Sequence, residues 1–434
     1  MQIDDRLSKL FKNIFGSAAA RLLNLLIALA LVPLTINSLP PNEYAFLSIA
    51  ISLSVLSNYA DLGMGLAIVN ILASESSSNN PQQSQKAISV VWFSLIILAL
   101  LLLAITGVLA LWVSSLEPAD AVIRYNAMLL GTACILIGLP SGLIQRILFA
   151  RHRNIEANIW TTLGKVLSLL FVWLTVESNN TSLSILIFGV IGVPVVISWL
   201  SVIIVFSRHD MRLLLPHIRH YDKKLLKPLI LTGMSFLIIQ MVPYFEVGID
   251  TLLAGTLISI EVVPSLDVYT KLFMYVPALA SIALFPLWPA IAQAKAAGDT
   301  DWILRVRRWA YFLVGATALT ISASLFIYGD TIVLHWTHQD LSLPKSVITG
   351  MTFFAVLTCI GLVQSMILNG AGIIKEQANL YLAYLIIVLC AKLFSATTFG
   401  LPGLIWSLNA CYIIRLYIAE KLLIKALTNK SATV

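Results

Sequence analysis

Long apolar runs separated by short polar turns recur along the whole chain. They cover residues 14 to 36, 43 to 72, 87 to 114, 120 to 149, 155 to 176, 182 to 206, 228 to 256, 261 to 291, 309 to 329, 346 to 370, 378 to 398 and 401 to 424. A helix rising about 1.5 Å per residue needs about 20 such residues to cross a hydrocarbon layer ~30 Å thick. The pattern predicts an all-α polytopic membrane protein with twelve transmembrane helices.

The first run follows Arg6, Lys9 and Lys12. It is too long for the apolar region of a signal peptide, and no small-residue cleavage site follows, so it is expected to be retained as a helix. A turn at Asn37-Ser-Leu-Pro-Pro-Asn-Glu43 leads into the second run, which is interrupted at Asp61-Leu-Gly-Met-Gly65. A carboxylate and two glycines there loosen the helix.

Composition narrows the class further. Of 434 residues, 59% are hydrophobic and 11% charged, against roughly 25% charged in soluble globular proteins. The formal charge of +7 raises nucleic acid as a partner, but its distribution argues against it. With an even number of spans both termini share one side. That side collects the basic clusters Arg146 to Arg153, Arg208 to Lys227 and Lys295 to Arg308, together with Lys86, Lys375, Arg415, Lys421 and Lys425. The opposite side has Arg124 and Lys345 among Glu43, Glu117, Asp120, Glu177, Glu261, Asp330 and Asp340. The positive-inside rule then predicts cytoplasmic termini, and the basic surplus reads as topogenic.

Residues 207–227 form the one strongly basic cytoplasmic connection and divide the chain into six spans (1–206) and six more (228–434). An amphipathic helix on the inner leaflet, touching anionic lipid, is predicted there. The halves also resemble each other. Ala150-Arg-His-Arg-Asn-Ile-Glu-Ala-Asn158 follows run four, and Ala371-Gly-Ile-Ile-Lys-Glu-Gln-Ala-Asn379 follows run ten. Two pseudo-symmetric six-helix lobes with the same membrane orientation are expected. Every outer loop is short, so binding has to occur among the helices.

Ionisable residues inside the spans are the candidates for function. Arg21 and Asn24 lie about one turn apart in the first run, with Arg21 ~13 Å beyond the basic helix start and near mid-bilayer. Lys165, Lys271 and Lys392 add three cations, Glu246 and Asp250 two acids, and Asp61 stands at the loosened part of run two. Each ion at the bilayer centre costs about 2.5 to 3.5 kcal/mol if it faces lipid, so a wet interior is the expected setting. Depth counting places Glu246 level with Lys271, leaving Lys271 as either an ion-pair partner or an anion ligand. Lys392 lies in the outer half, where its stem can snorkel to the interface or face the interior. Asp61 serves either as a helix cap or in coupling. Arg21 and Lys165 have no acid in their own spans and are the main candidates for an anionic substrate. An arginine fork suits phosphate oxygens, and a lysine adds a point charge. Pro33, Pro140, Pro194, Pro243, Pro277, Pro286 and Pro289, all within spans, permit bending.

No catalytic constellation and no metal-ligand spacing appears. Cys134, Cys359, Cys390 and Cys411 are isolated within apolar runs and read as packing residues. His335-Trp-Thr-His338 reads as part of a loop. The picture is that of a carrier for something anionic.

Asn42-Glu-Tyr-Ala-Phe-Leu-Ser48, Asp61-Leu-Gly-Met-Gly65, Asp267-Val-Tyr-Thr-Lys-Leu-Phe273 and Leu287-Trp-Pro-Ala290 resemble, in order and span context, Wzx-type O-antigen flippases. These form part of the polysaccharide transporter branch of the MOP superfamily, alongside lipid II flippases and MATE drug exporters. The resemblance implies a V-shaped pair of six-helix lobes in the bacterial inner membrane. It also implies movement of an undecaprenyl-diphosphate-linked oligosaccharide from the cytoplasmic to the periplasmic leaflet by alternating access. Arg21 stands where the similar lipid II flippases carry an arginine associated with the diphosphate, although several other cations of that cavity have no clear equivalent. Expected partners are the lipid-linked oligosaccharide, membrane lipids and other O-antigen assembly proteins. No cofactor is expected. Proton or sodium coupling through Asp61, Glu246 or Asp250, and drive by the membrane potential, stay open. A drug or cation antiporter would line its cavity with acids, whereas the mid-depth groups here are mostly basic. An O-antigen polymerase or ligase would need a substantial periplasmic loop.

Overall fold

A bilayer leaves no water to satisfy the backbone, so each N–H and C=O has to be paired within its own segment. The computed structural model follows that demand. It describes residues 2–56, 63–65, 68, 72, 81–114, 119–151, 153–284 and 287–428, and no strand occurs among them. The chain divides into two compact units, Met1–Gln240 and Met241–Val434.

The first unit holds α1 (Gln2–Ile36), α2 (Pro41–Leu56), α3 (Pro81–Ser114), α4 (Ala119–Ser141), α5 (Leu143–Ala150) and α6 (Asn154–Glu177). Its sixth span is α7 (Leu183–Ile187), a π-helical turn (Phe188–Gly192) and α8 (Val193–Ser207). α3 and α2 both pack on α4, α4 packs on α8, and α1 packs on α6. Near the basic ends of these helices Trp92, Ile144, Leu148, Val205 and Phe206 form a core, with Trp92 edge-on to Trp199 and Phe206 at 5.8 and 6.2 Å.

α10 (Leu226–Pro243) leads across the boundary into a π-helical turn (Tyr244–Gly248) and α11 (Asp250–Leu257). Then come α12 (Val263–Leu284), α13 (Leu287–Ala296), α14 (Thr300–Thr337), α15 (Lys345–Gly370) and α16 (Ile374–Thr428). α14 and α12 pack on α15, α15 on α16, and α11 on α16. The neighbour scheme of the first six spans thus recurs in the second six.

Eight helical stretches among the described residues are long and apolar enough to cross a membrane. The last of them, in α16, is two crossings. Gly400 interrupts it with φ 62° and ψ −145°, backbone space that only glycine enters without strain, and Pro402 opens the second leg. Of the remaining expected spans, the second opens with α2 and from residue 57 on falls largely outside the described residues, the seventh is the broken helix 226–257 and the eighth contains α12. The protein is therefore an all-α, multi-span membrane protein whose helices accommodate twelve crossings.

The two π-helical turns share a cause. Each starts with an aromatic residue and ends with glycine four residues later, Phe188 to Gly192 and Tyr244 to Gly248. A Cβ on Gly192 would stand 2.5 Å from the Phe188 ring, and one on Gly248 2.7 Å from the Tyr244 ring. The ring lies over the bare backbone, and the widened turn follows.

Residues 207–227 correct one expectation. In place of a single amphipathic helix, the segment has α9 (His209–Arg212) and two 3₁₀ turns, Ile218–His220 and Lys223–Leu225. It packs onto the first unit: Met211 and Leu214 are buried in the core around Trp92, and Gln85 Nε2 donates to the Leu215 carbonyl at 3.0 Å. Arg153 and Arg208 tie it down through Glu156 (2.9 and 2.5 Å), and Arg153 also reaches Asp210 (2.7 Å).

Candidate functional site

In the first unit the expected anion ligands lie on two helices that pack together, α1 and α6. A Cβ built on Gly16 would stand 3.5 Å from Ile155 Cγ1, which sets the register between their basic ends. Counting about 1.5 Å per residue from that contact, Arg21 lies roughly 7.5 Å and Lys165 roughly 15 Å along the pair. Both side chains are exposed. Lys165 makes no ion pair with a described residue. Asn24 is half-buried, and its Oδ1 has no hydrogen-bond partner among the described residues. Asp61 lies outside the described residues.

In the second unit Lys271, Lys392 and Arg415 are each neutralised by a carboxylate, which decides between the alternatives left open for the two lysines. Lys392 does not snorkel. Its side chain is fully buried, with Nζ 2.5 Å from Asp250 Oδ1 and 2.5 Å from the Glu246 carbonyl oxygen. Lys271 does not meet Glu246; it pairs with Asp267 one turn earlier on α12, at 2.6 Å. Glu246 instead receives Arg415, whose Nη1 is 2.6 Å from Oε1, with both side chains almost completely buried. Arg415, counted above among the cytoplasmic charges, is a buried and paired residue.

The π-helical turn helps to build this cluster. Ile249 N donates five residues back to the Tyr244 carbonyl at 2.9 Å. The widened backbone presents the Glu246 carbonyl oxygen to Lys392, alongside the Asp250 carboxylate. Around Arg415, Tyr412, Tyr384 and Tyr381 place ring centroids 3.9, 5.0 and 5.1 Å from the guanidinium carbon. A cation stacked on aromatic faces and bound to a carboxylate is well satisfied in a dry interior. Arg415 and the tyrosines carry no sequence spacing that singles them out, since Arg415 meets an acid 169 positions away.

A second polar knot joins α14, α15 and α16. Arg307 Nη1 and Tyr311 Oη reach the two oxygens of Glu420 at 2.5 and 2.7 Å, and Gln364 Nε2 donates to the same carboxylate at 3.2 Å. The two histidines after residue 334 do local work. His335 Nδ1 lies 2.8 Å from the Thr331 carbonyl, and His338 closes α14 in the left-handed conformation. Among the described residues no group of three His, Cys, Asp or Glu side chains is arranged to hold a metal ion.

Comparison with solved structures places this architecture. An inward-facing MATE multidrug resistance transporter of the MOP superfamily superposes with a TM-score of 0.71 at 15% identity, over 95% of this chain and all of that one. A MATE in complex with MaL6 gives 0.65 at 14% identity, over 96% of both chains. The Vibrio cholerae MATE transporter VcmN gives 0.64 at 15% identity, over 98% of both. Likeness at this identity establishes the fold. No curated protein matches the chain. Residues 10–295 match the family described as polysaccharide biosynthesis protein. With two thirds of its length in that match, the chain belongs to the polysaccharide biosynthesis protein family, and its helices take a MATE-like fold throughout.

Proposed function

We propose that the protein is a flippase for an undecaprenyl-diphosphate-linked oligosaccharide, an O-antigen repeat unit. It would carry this cargo from the cytoplasmic to the periplasmic leaflet of the bacterial inner membrane, with both termini in the cytoplasm. One observation carries the reading: Arg21 and Lys165 are exposed on adjacent packed helices. Their axial offset is about 7.5 Å, within reach of two long side chains converging on one diphosphate. Arg21 supplies a bidentate fork and Lys165 a point charge. Asn24, whose Oδ1 has no partner among the described residues, takes a sugar hydroxyl or a bridging water.

Lys271 and Lys392 drop out of the anion site because carboxylates already hold them. The same pairing weighs against a drug/cation antiporter, since Glu246 and Asp250 are sealed against tethered cations. Energy coupling then falls to Asp61 or to the membrane potential acting on the charged cargo.

The test is transport of a fluorescent lipid-diphosphate oligosaccharide in proteoliposomes, with and without imposed proton, sodium and electrical gradients. Wild-type protein should move it, and Arg21→Ala/Lys165→Ala should not. Transport by the double variant at the wild-type rate would overturn the assignment.

A further inference from the structure

The first turns of α14 carry three arginines with different fates. At about 1.5 Å per residue its 38 residues span roughly 57 Å, nearly twice the ~30 Å hydrocarbon core. The apolar run starts only at Trp309, so Arg305, Arg307 and Arg308 stand at the membrane boundary. Arg307 turns inward to Glu420 at 2.5 Å. Arg305 and Arg308 are exposed, and neither makes an ion pair or hydrogen bond with a described residue, Asp301 on the preceding turn included.

Beside them a shallow groove of about 450 Å³ runs along α14, lined by Trp302, Arg305, Trp309, Phe312 and Leu313 among others. Trp302, Arg305, Trp309 and Phe312 recur every three or four residues and, with Leu313 next to Phe312, share one face. Trp309 and Phe312 are 70% and 69% exposed. Their rings meet edge-to-face at 6.5 Å, forming a ridge beside the groove. Indoles at a membrane boundary sit at headgroup level.

We propose that this face of α14 binds an anionic phospholipid, with its phosphate held by Arg305 and Arg308 and an acyl chain laid along the groove past Trp309, Phe312 and Leu313. Charge complementarity selects the ligand. Two uncompensated guanidinium groups favour a net negative headgroup over a zwitterionic one, and a free phosphate leaves the apolar part of the groove empty. The site is independent of the cargo.

The full chain in nanodiscs of phosphatidylcholine with a minor share of phosphatidylglycerol provides the test. Either lipid is brominated on its acyl chains, and fluorescence quenching of Trp309 is isolated as the difference between wild type and Trp309→Phe. Brominated phosphatidylglycerol should quench Trp309 well beyond its mole share. That preference should fall about fivefold per arginine in Arg305→Gln/Arg308→Gln, and largely survive in Arg305→Lys/Arg308→Lys. Inorganic phosphate should not displace the lipid. Quenching in proportion to mole fraction, a preference unchanged in the glutamine variant, or loss of the preference on adding phosphate would each overturn the proposal.

Discussion

Lys392 Nζ lies 2.5 Å from Asp250 Oδ1 with the two side chains 0% and 4% exposed. An ion pair this deep survives only as a pair, because each charge alone would face an interior with nothing to solvate it. Asp250→Ala or Lys392→Ala should therefore each destabilise the protein by about 3–5 kcal/mol. Asp250→Leu/Lys392→Met should recover most of the loss. Thermal unfolding of the three variants in detergent checks this, and additive losses in the double variant would count against the coupling.

Arg415 is held by geometry as well as charge. Arg415→Lys keeps the charge but loses the planar contact with Tyr412, 3.9 Å from the ring centroid. It should cost roughly 1–2 kcal/mol. Arg415→Met should cost more, since it strands Glu246, and Glu246→Gln beside it should restore stability. A melting-temperature order other than wild type, then lysine, then methionine would contradict this account.

Transport should separate the two sets of cations. Per inserted molecule, Arg21→Ala should abolish export of surface polysaccharide, Arg21→Lys should retain some, and Lys165→Ala should reduce it. Lys271→Ala combined with Asp267→Ala should leave export close to wild type, because that pair is satisfied within α12. Complementation of a strain lacking its flippase, with protein levels measured in parallel, reads all four.

The π-helical turns make a stability prediction of their own. Gly192→Ala and Gly248→Ala each force a methyl group into an aromatic ring and should cost about 1–3 kcal/mol. Phe188→Leu should relieve the first by opening space at the ring position. If Gly192→Ala melts with wild type, the close ring contact does not determine the turn.

The spans were legible because lipid imposes one simple rule, a sufficient apolar length, and the duplicated order was legible because matching segments fall after the fourth and tenth runs. The site was legible only in part. Lys271 and Asp267 are four residues apart on one helix, a spacing that names the pair, yet depth counting points Lys271 toward Glu246. Lys392 and Arg415 find their acids 142 and 169 positions away. Neither distance to a span end nor helical spacing encodes such a meeting, so a buried lysine looks like a snorkelling one and a buried arginine like a topogenic one.

The position of Gly400 gives these pairs a larger meaning. Lys392 precedes that corner by eight residues and Arg415 follows it by fifteen, so the two clasps come from opposite legs of one hairpin and close on the same broken helix. Neither leg can ratchet by one turn, about 5.4 Å, without tearing a charge from its partner in a dry surrounding. In the transport cycle proposed above, the hairpin and the stretch 244–257 that it grips are expected to travel as a single solid piece, and the bending that the cycle demands is absorbed by other joints of the chain.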